Sequence, residues 1–279
     1  MTQQAPGKLW IVATPIGNLD DLSARAQTIL RQVDLVAAED TRHSAALLQH
    51  YGIATRRVAL HEHNEREVSA DLVRQMRDGM QIALVSDAGT PLISDPGYKL
   101  VRATRQAGHV VYTIPGPSAA IAALTLAALP TDRFLFLGFL PARAKARADA
   151  IAEVALIRAT LVLYESGPRL ADTLAELARQ LGPRDAAVAR ELTKLHEECV
   201  TSSLADLAER YENLAPKGEI VIVVGPPADE PEATGDELDA ALRDALTRLS
   251  PSRAAADVAE ALGVPRKRAY ARALELAGK

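Results

Sequence analysis

The sequence is poor in cysteine and has no long hydrophobic run, and each absence excludes a class of protein. Cys199 is the only cysteine among the 279 residues, so no internal disulfide can form and the chain suits a reducing compartment. The longest apolar run, 119–129, is too short to span a bilayer and is more typical of a buried helix. Residues 1–8 lack the charged and apolar regions of a signal peptide. We therefore expect a soluble, cytoplasmic protein.

The sequence also lacks an excess of positive charge, with 32 Lys and Arg against 36 Asp and Glu. The net charge is −4, which argues against a protein that binds nucleic acid through charge over its whole surface, although it allows a local basic patch. Apolar residues make up 48% of the chain and charged residues 24%, as in soluble globular proteins. The length suits one large domain or two medium ones.

Several common catalytic and nucleotide-binding motifs are missing. The absence of G-x-x-x-x-G-K-[ST] excludes a P-loop NTPase, and without G-x-G-x-x-G neither a dinucleotide fold nor the commonest methyltransferase fold is indicated. A G-x-S-x-G nucleophile elbow is also lacking. His61 and His63 alternate near a strand end, but only carboxylates could complete a metal site there. We favour a solvated loop or a substrate contact and expect no metal.

The most informative stretch is a βαβ unit at 82–118. Two short runs rich in β-branched residues, 82–85 and 110–114, predict buried parallel strands, with a helix from Tyr98 to Gly108 between them. Gly- and Pro-rich loops follow both strands. Gly89 allows a ligand to approach the backbone closely, and ligands of open parallel sheets bind at the carboxyl ends of strands. A rigid connection without a ligand is the alternative, but two such loops in register favour a binding site.

Alternating strands and helices continue on both sides of this unit. They predict a parallel α/β domain over 1–117, in which other strand ends carry 14–19 and 39–43, and a second α/β domain over 118–227 with hairpin-like pairing near its end. A Pro-rich, acidic linker is expected at 228–237. The pattern over 238–279, the tail, predicts three helices that resemble a helix-turn-helix module. In the third helix, we expect Tyr270, Ala273, Leu274 and Ala277 to face inward.

Six motifs together resemble one family. They are Thr-Pro-Ile-Gly-Asn-Leu-Asp-Asp-Leu (14–22), Ala-Glu-Asp-Thr-Arg-His (38–43), Ser-Asp-Ala-Gly-Thr-Pro-Leu-Ile-Ser-Asp-Pro-Gly (86–97), Ile-Pro-Gly-Pro-Ser-Ala (114–119), Phe-Leu-Gly-Phe-Leu-Pro (136–141) and Arg-Glu-Leu-Thr-Lys (190–194). The chain is similar to the bacterial small-subunit ribosomal RNA methyltransferase I family of the tetrapyrrole methylase superfamily. It departs from the family at Gly167-Pro168, where a His usually precedes the Arg, and near 199–203, where a Gly is common.

The resemblance implies two α/β domains with S-adenosylmethionine (SAM) in the cleft between them and a helical tail. It also implies 2′-O-methylation of a decoding-centre cytidine in 16S rRNA, within the small ribosomal subunit, by a homodimer. Backbone groups of 86–93 and 118–119 are expected to cradle SAM. The expected cofactor contacts are Pro15, Asp87, Ala88, Gly89, Pro91, Leu92, Ile93, Ser118, Ala119, Tyr164, Arg190 and Gly218.

Positioning donor and acceptor is the main task of such an enzyme, because the sulfonium is already a good leaving group. The ribose hydroxyl is a weak acid, so a nearby base or cation should help it lose its proton. The expected catalytic residues are Glu39, Arg42 and His43, with Glu39 as the base candidate and Asp40 as a helix cap. Asp87 is expected either to hold SAM or to cap the amides of its own loop.

Basic side chains are the candidates for RNA contact. Arg42, Arg190 and Lys194 could clamp phosphate, and the basic helix of the tail could recruit the substrate. The expected RNA contacts are Arg143, Lys145, Arg147, Lys194, Arg266, Lys267, Arg268 and Arg272. Two other functions stay open at this point: a small-molecule methyltransferase of the same superfamily, acting on a tetrapyrrole-like ring, and a non-catalytic RNA-binding module with a vestigial pocket.

Overall fold

The computed structural model describes residues 7–228 and 234–278. The chain divides into two compact units, Met1–Pro227 and Ala228–Lys279. The predicted linker at 228–237 falls partly on 229–233, which lie outside the described residues, and a helix already begins at Gly235.

The first sheet is parallel, as predicted, because every strand in it returns through a helix. Its strand order is β3-β2-β4-β1-β5, and each neighbouring pair is parallel. The elements are β1 (Lys8–Val12), a 3₁₀ turn (Leu19–Asp21), α1 (Ala24–Gln32), β2 (Leu35–Ala38), α2 (Thr41–His50), β3 (Arg57–Ala59), α3 (Glu65–Arg77), β4 (Ile82–Val85), α4 (Tyr98–Gln106) and β5 (Val110–Ile114).

Strand β5 was predicted to be buried, and the structure shows that this is wrong. The central strands β2 and β4 are buried throughout, whereas β5 forms the edge of the sheet, with Val110 45% and Tyr112 39% exposed. Its apolar run therefore does not signal burial. The Tyr112 ring instead stacks on Trp10 of β1 at 4.5 Å between centroids.

The second sheet is mixed. Its order is β6-β7-β10-β8-β9, and only β6 and β7 pair in parallel, so the predicted hairpin-like pairing occurs at β8, β9 and β10. The elements are α5 (Ala119–Leu126), β6 (Phe134–Phe139), α6 (Ala144–Val154), β7 (Thr160–Ser166), α7 (Gly167–Leu181), β8 (Asp185–Arg190), β9 (Glu198–Ser203), α8 (Leu204–Tyr211) and β10 (Glu219–Val224).

Three local features of the part of the chain that forms the second sheet bear on the sequence prediction. Strand β9 was not predicted, because this half-buried edge strand carries polar residues and no apolar run. Helix α5 is only partly buried, since Ile121 and Leu126 are exposed. Pro168, where the family usually has a His, lies in the first turn of α7, a position that suits proline, and a Cβ at the preceding Gly167 would overlap the carbonyl oxygen of Pro216.

The second unit contains α9 (Gly235–Leu246), α10 (Pro251–Leu262) and α11 (Arg266–Leu276), with its own core of Leu and Ala side chains. Gly263 ends α10 in the left-handed conformation at φ 63°, as a glycine there should. Tyr270 and Ala277 are exposed, contrary to prediction, because α11 packs inward through Ala269 and Ala273. These small side chains, four residues apart, set the rotation of the helix.

In 7–228 and 234–278, none of the helices has the length and apolar character needed to cross a membrane.

Candidate active site

Hydrogen bonds join the loops that follow β1, β4 and β5. The Thr14 N–H donates to the Gly89 carbonyl at 2.9 Å, and the Gly89 N–H donates to the Thr14 carbonyl at 3.0 Å. The Thr90 hydroxyl donates to the Pro117 carbonyl at 3.0 Å. Gly89 has φ 77°, a conformation that glycine adopts without strain. The parallel sheet brings the three loops to one edge, and this pairing fixes their relative positions.

A buried carboxylate holds the far end of the β4 loop. Glu65, at the start of α3, accepts hydrogen bonds from the Gly97 N–H at 2.9 Å and the Lys99 N–H at 2.8 Å. Between these two anchored ends, Leu92 and Ser94 adopt positive φ angles of 74° and 67°. Such angles are costly for residues with a Cβ, and they persist because both ends of the loop are fixed.

A cavity of about 330 Å³ lies between the two sheets of the first unit. Its volume is in the range of small-molecule sites, and its wall combines apolar side chains with a few carboxylates and hydroxyls. The lining residues are Ile16, Ala88, Gly89, Thr90, Ile93, Ser94, Asp95, Ser118, Ala119, Phe139, Tyr164, Glu165, Ser166, Gly218, Glu219, Ile220 and Val221. We call it the first cavity.

The predicted cofactor residues divide into two groups. Those in the wall of the first cavity are Ala88, Gly89, Ile93, Ser118, Ala119, Tyr164 and Gly218. The others lie elsewhere: Pro15 and Asp87 line a neighbouring cavity, Pro91 is buried behind the loop, Leu92 packs against the core of the first sheet, and Arg190 lines a separate cavity with Glu198.

The neighbouring cavity, of about 320 Å³, lies on the β1 and α2 side. Its lining residues are Pro15, Ile16, Gly17, Leu19, His43, Ala46, Leu47, Asp87, Ala88, Lys194 and Glu219. Ile16, Ala88 and Glu219 belong to the walls of both cavities, so the two spaces adjoin. We call this the second cavity. It brings the predicted residues His43 and Lys194 together.

An acidic cluster of Glu39, Asp87 and Asp95 lies at the same sheet edge. Burial and the nearby Glu39 charge raise the pKa of Asp95 to about 7. Burial, then Asp87 and Asp40, raise the pKa of Glu39, and His61 partly offsets them. Asp95 was missed by sequence reasoning. The sequence does contain a feature that could have identified it. Ser94-Asp95-Pro96-Gly97 resembles Ser86-Asp87-Ala88-Gly89 earlier in the same loop.

Asp87 of this cluster and the neighbouring Asp40 also have structural hydrogen bonds. Asp40 caps α2 by accepting the Arg42 N–H at 2.7 Å, as predicted. The exposed Arg42 guanidinium lies 2.9 Å from the same carboxylate. Asp87 accepts the Asp40 N–H at 3.0 Å, so it joins the ends of β4 and β2 instead of capping its own loop.

The second sheet contributes a rigid wall to the first cavity through residues at the end of β7. Glu165 is buried and accepts hydrogen bonds from the Ser166 N–H at 2.8 Å and the Thr173 hydroxyl at 2.7 Å. The Tyr164 ring packs edge-on against Phe136 and Phe139. Burial raises the pKa of the Tyr164 phenol, which keeps it neutral and able to donate a hydrogen bond.

Some of the predicted RNA-contacting residues are exposed, whereas others are buried or paired with carboxylates. Arg143 and Lys145 are exposed at the start of α6, and Arg266, Lys267 and Arg268 are exposed on α11. Arg147 is buried, with Nη2 3.8 Å from Asp172, which argues against its predicted RNA contact. Arg272 is only partly exposed, because its guanidinium binds both Asp239 oxygens at 2.7 and 2.6 Å and joins α11 to α9.

Metal ligands do not gather in the described parts of the chain, where no group of three or more His, Cys, Asp or Glu side chains could hold an ion.

The fold and site define a class of enzyme. The sequence profile of the tetrapyrrole (corrin/porphyrin) methylases matches residues 8–208, and that of the RsmI C-terminal HTH domain matches 232–277. Uroporphyrin-III C-methyltransferase from Thermus thermophilus, solved with S-adenosyl homocysteine, shares the fold with a TM-score of 0.53 at 20% identity, over 78% of this chain and 96% of that one. The chain is thus a methylase of the tetrapyrrole methylase class, and the predicted fold is confirmed.

Closer relatives narrow the assignment. Ribosomal RNA small subunit methyltransferase I of Erythrobacter litoralis is 52% identical over 98% of this chain and 96% of its own length. The enzyme of that name from Escherichia coli O157:H7 is 47% identical over 98% and 96%. The chain belongs to the ribosomal RNA small subunit methyltransferase I family. It is therefore an enzyme, and the alternative of a non-catalytic binding module is wrong.

The protonated Asp95 predicts a pH-dependent cost to stability. The native carboxyl keeps its proton up to about pH 7, whereas the unfolded one loses it near 3.8, so wild-type stability falls as the pH rises between these values. Asp95→Asn has no such proton. It should be more stable than wild type at pH 8 by about 1–2 kcal/mol, since solvent at this partly exposed side chain reduces both the desolvation cost and the repulsion by Glu39.

Urea unfolding at pH 8 and pH 4 measures this difference, with the exposed Asp149→Asn as control. The advantage of Asp95→Asn should vanish at pH 4, and an advantage that is equal at both pH values would contradict the account.

Proposed function

We propose that this enzyme transfers a methyl group from SAM to the ribose 2′-hydroxyl of a cytidine in the decoding centre of 16S rRNA, in the small ribosomal subunit of the cytoplasm. The observation that carries the proposal is the pair of adjoining cavities at the carboxyl edge of the first sheet, of about 330 and 320 Å³, which can hold a cofactor and an acceptor side by side.

The first cavity suits SAM by its size and by its chemistry. A Cβ on Gly89 would lie 3.3 Å from Ile16 and 3.7 Å from the Pro117 carbonyl oxygen, so the bare backbone keeps space there. Asp95, Glu165 and Glu219 place polar oxygens in the wall for the polar groups of the ligand, while apolar side chains suit its adenine. SAM would supply an electrophilic methyl group on a sulfonium that leaves readily.

The second cavity suits the acceptor nucleotide. Its walls meet those of the first cavity at Ile16, Ala88 and Glu219, so a ribose held there would lie next to the donor. Transfer requires the two reacting atoms to be held in line at close contact, and fixed loops on a parallel sheet provide that rigidity. His43 and Lys194 in this wall would contact the nucleotide or its phosphate.

The acidic cluster is the proposed proton acceptor. Glu39 follows β2 directly, and its charge interacts with Asp87, in the wall of the second cavity, and with Asp95, in the wall of the first. Because its pKa is raised, Glu39 is a stronger base toward the ribose hydroxyl than an ordinary carboxylate. His43 is the other proposed catalytic side chain, and Arg42 would orient phosphate.

Labelled SAM and purified small subunits that lack the modification test this function. The label should enter 16S rRNA at one cytidine and leave the adjacent phosphodiester resistant to alkali, because a methylated 2′-oxygen cannot attack the phosphate. Label recovered in mononucleotides after alkali treatment, as expected for a methylated base, would contradict 2′-O transfer. Transfer to a tetrapyrrole but not to subunits would favour the small-molecule alternative.

Glu39→Gln should lower kcat by about 10²-fold, the usual scale for losing a general base, while the SAM Kd stays near wild type. Asp95→Asn should instead weaken SAM binding, because Asp95 lines the first cavity. Single-turnover kinetics measure the rate of methyl transfer, and calorimetry measures the SAM Kd, for both variants. Glu62→Gln, an exposed carboxyl after β3, is the control. Wild-type turnover in Glu39→Gln would make Glu39 structural and leave His43 or hydroxide as the base.

Truncation after Pro227 should leave a folded, SAM-binding unit with a higher KM for small subunits. The loss should be largest at low salt, because phosphate contacts gain from counterion release. The double change Arg266→Glu and Lys267→Glu should reproduce the effect in the full chain, since both residues are exposed on α11. The measurement is KM across a salt series. Equal constants for intact and truncated protein at every salt concentration would reject recruitment by the tail.

A homodimer is the proposed assembly. Val110 and Tyr112 on the edge strand β5, with Ile121 and Leu126 on α5, expose apolar surface in the first unit. Sedimentation at micromolar concentration should give twice the chain mass, and Tyr112→Glu should give the mass of one chain. A single-chain mass for wild type would contradict the proposal.

A further inference from the structure

A short turn at 191–197 is held in a strained conformation beside the second cavity. Glu191 and Thr193 have positive φ angles of 52° and 64°, which residues with a Cβ rarely adopt. The Lys194 N–H donates to the Glu191 carbonyl at 3.0 Å, and the Glu197 N–H donates to the Lys194 carbonyl at 3.1 Å. The Thr193 N–H donates to a Glu197 carboxylate oxygen at 2.6 Å. These bonds maintain the strained backbone.

Both halves of the first unit hold this turn in place. A Cβ on Gly17, in the loop after β1, would lie 2.5 Å from Cγ of Lys194, and a Cβ on Gly218, before β10, would overlap the Glu191 carboxylate. The Lys194 ammonium lies 3.0 Å from Glu191 Oε1 and 3.1 Å from Glu219 Oε2. Leu192 is buried. The turn is therefore a rigid part of the cavity rim.

The tip of this rigid turn presents a bare aliphatic side chain. Leu195 is 92% exposed and is followed by the exposed polar residues His196 and Glu197. It comes directly after Lys194, whose side chain lines the second cavity. A scattered exposed leucine needs no explanation by itself. This one belongs to a strained, hydrogen-bonded turn and directly follows a lining residue of the proposed acceptor site.

The acceptor nucleotide has to leave its stack to enter a cavity. Enzymes that act on a nucleotide inside a helical nucleic acid extrude it, at a cost of about a few kcal/mol for unstacking. Proteins that open such stacks commonly insert Leu, Ile, Met or Phe between the bases. A side chain on a rigid support loses less conformational freedom when it inserts. Leu195 has both the chemistry and the support.

We propose that Leu195 is a positioning residue that inserts into the base stack of the RNA beside the target and keeps the target nucleotide extruded, with its ribose in the second cavity. The proposal rests on the proposed function. Leu195 contacts neither SAM nor the reacting atoms; it raises the fraction of bound substrate in which the ribose reaches the donor.

Leu195→Ala should lower kcat on small subunits by about ten-fold, because most bound complexes would then keep the target stacked. The SAM Kd should equal that of wild type, which also verifies that the variant is folded. KM for the subunits should change little, since other contacts supply ground-state affinity. Leu195→Phe, which restores an apolar group able to stack, should recover most of the rate.

Leu156→Ala is the matched control, because Leu156 is also 92% exposed but lies in the turn between α6 and β7. It should behave as wild type. Wild-type kcat for Leu195→Ala, or an equal loss in Leu156→Ala, would overturn the proposal. A rise in KM at unchanged kcat would also overturn it and assign Leu195 to docking on a protein surface of the subunit. An inactive wild type would instead reject the proposed function.

Discussion

The pairing of Thr14 with Gly89 is the interaction on which the site depends. Two backbone hydrogen bonds connect the loop after β1 to the loop after β4, and a third contact, from Thr90 to Pro117, adds the loop after β5. The geometry requires a residue free to adopt φ 77° with no Cβ, and Gly89 provides it. Both cavities are built on this junction, since Ile16 and Ala88 on either side of it line both of them.

The carboxyl edge of the first sheet is also where acidic side chains gather. Parallel strands deliver Glu39, Asp87 and Asp95 to one place, where burial and mutual repulsion raise the pKa of Glu39 and Asp95. Such a cluster destabilises the free protein, and active sites commonly retain this kind of strain because function uses it. A cationic methyl donor would relieve the repulsion, and a carboxylate with a raised pKa can accept the proton of a weakly acidic hydroxyl. Under the proposed function, one cluster would serve both SAM binding and proton transfer.

Much of this architecture could be predicted from the sequence, because strand ends rich in Gly and Pro and alternating apolar periods are local signals. The parallel order of the first sheet, the helix cap at Asp40 and the glycine stop at Gly263 are examples. What could not be predicted depends on neighbours distant in sequence. The exposure of β5 depends on its place at the sheet edge beside β1. Strand β9 was missed for a different reason, because its polar residues give no apolar run.

The candidate site shows the same division. Gly89, Ser118 and Tyr164, which were predicted to contact the cofactor, line the first cavity, whereas Arg190 pairs with Glu198 and Arg147 is buried near Asp172. A basic residue in a sequence reveals its charge but not the carboxylate that will neutralise it. Asp95 and the rigid turn at 191–197 were missed because burial and positive φ angles are properties of the folded chain.

A crystal structure of the full chain with S-adenosylhomocysteine tests the central claim most directly. The account predicts the ligand in the first cavity, between the backbone of Gly89, the Ser118 segment and the Tyr164 ring, with its sulfur facing the second cavity. A ligand bound in the second cavity, or anywhere outside the cleft between the two sheets, would contradict it.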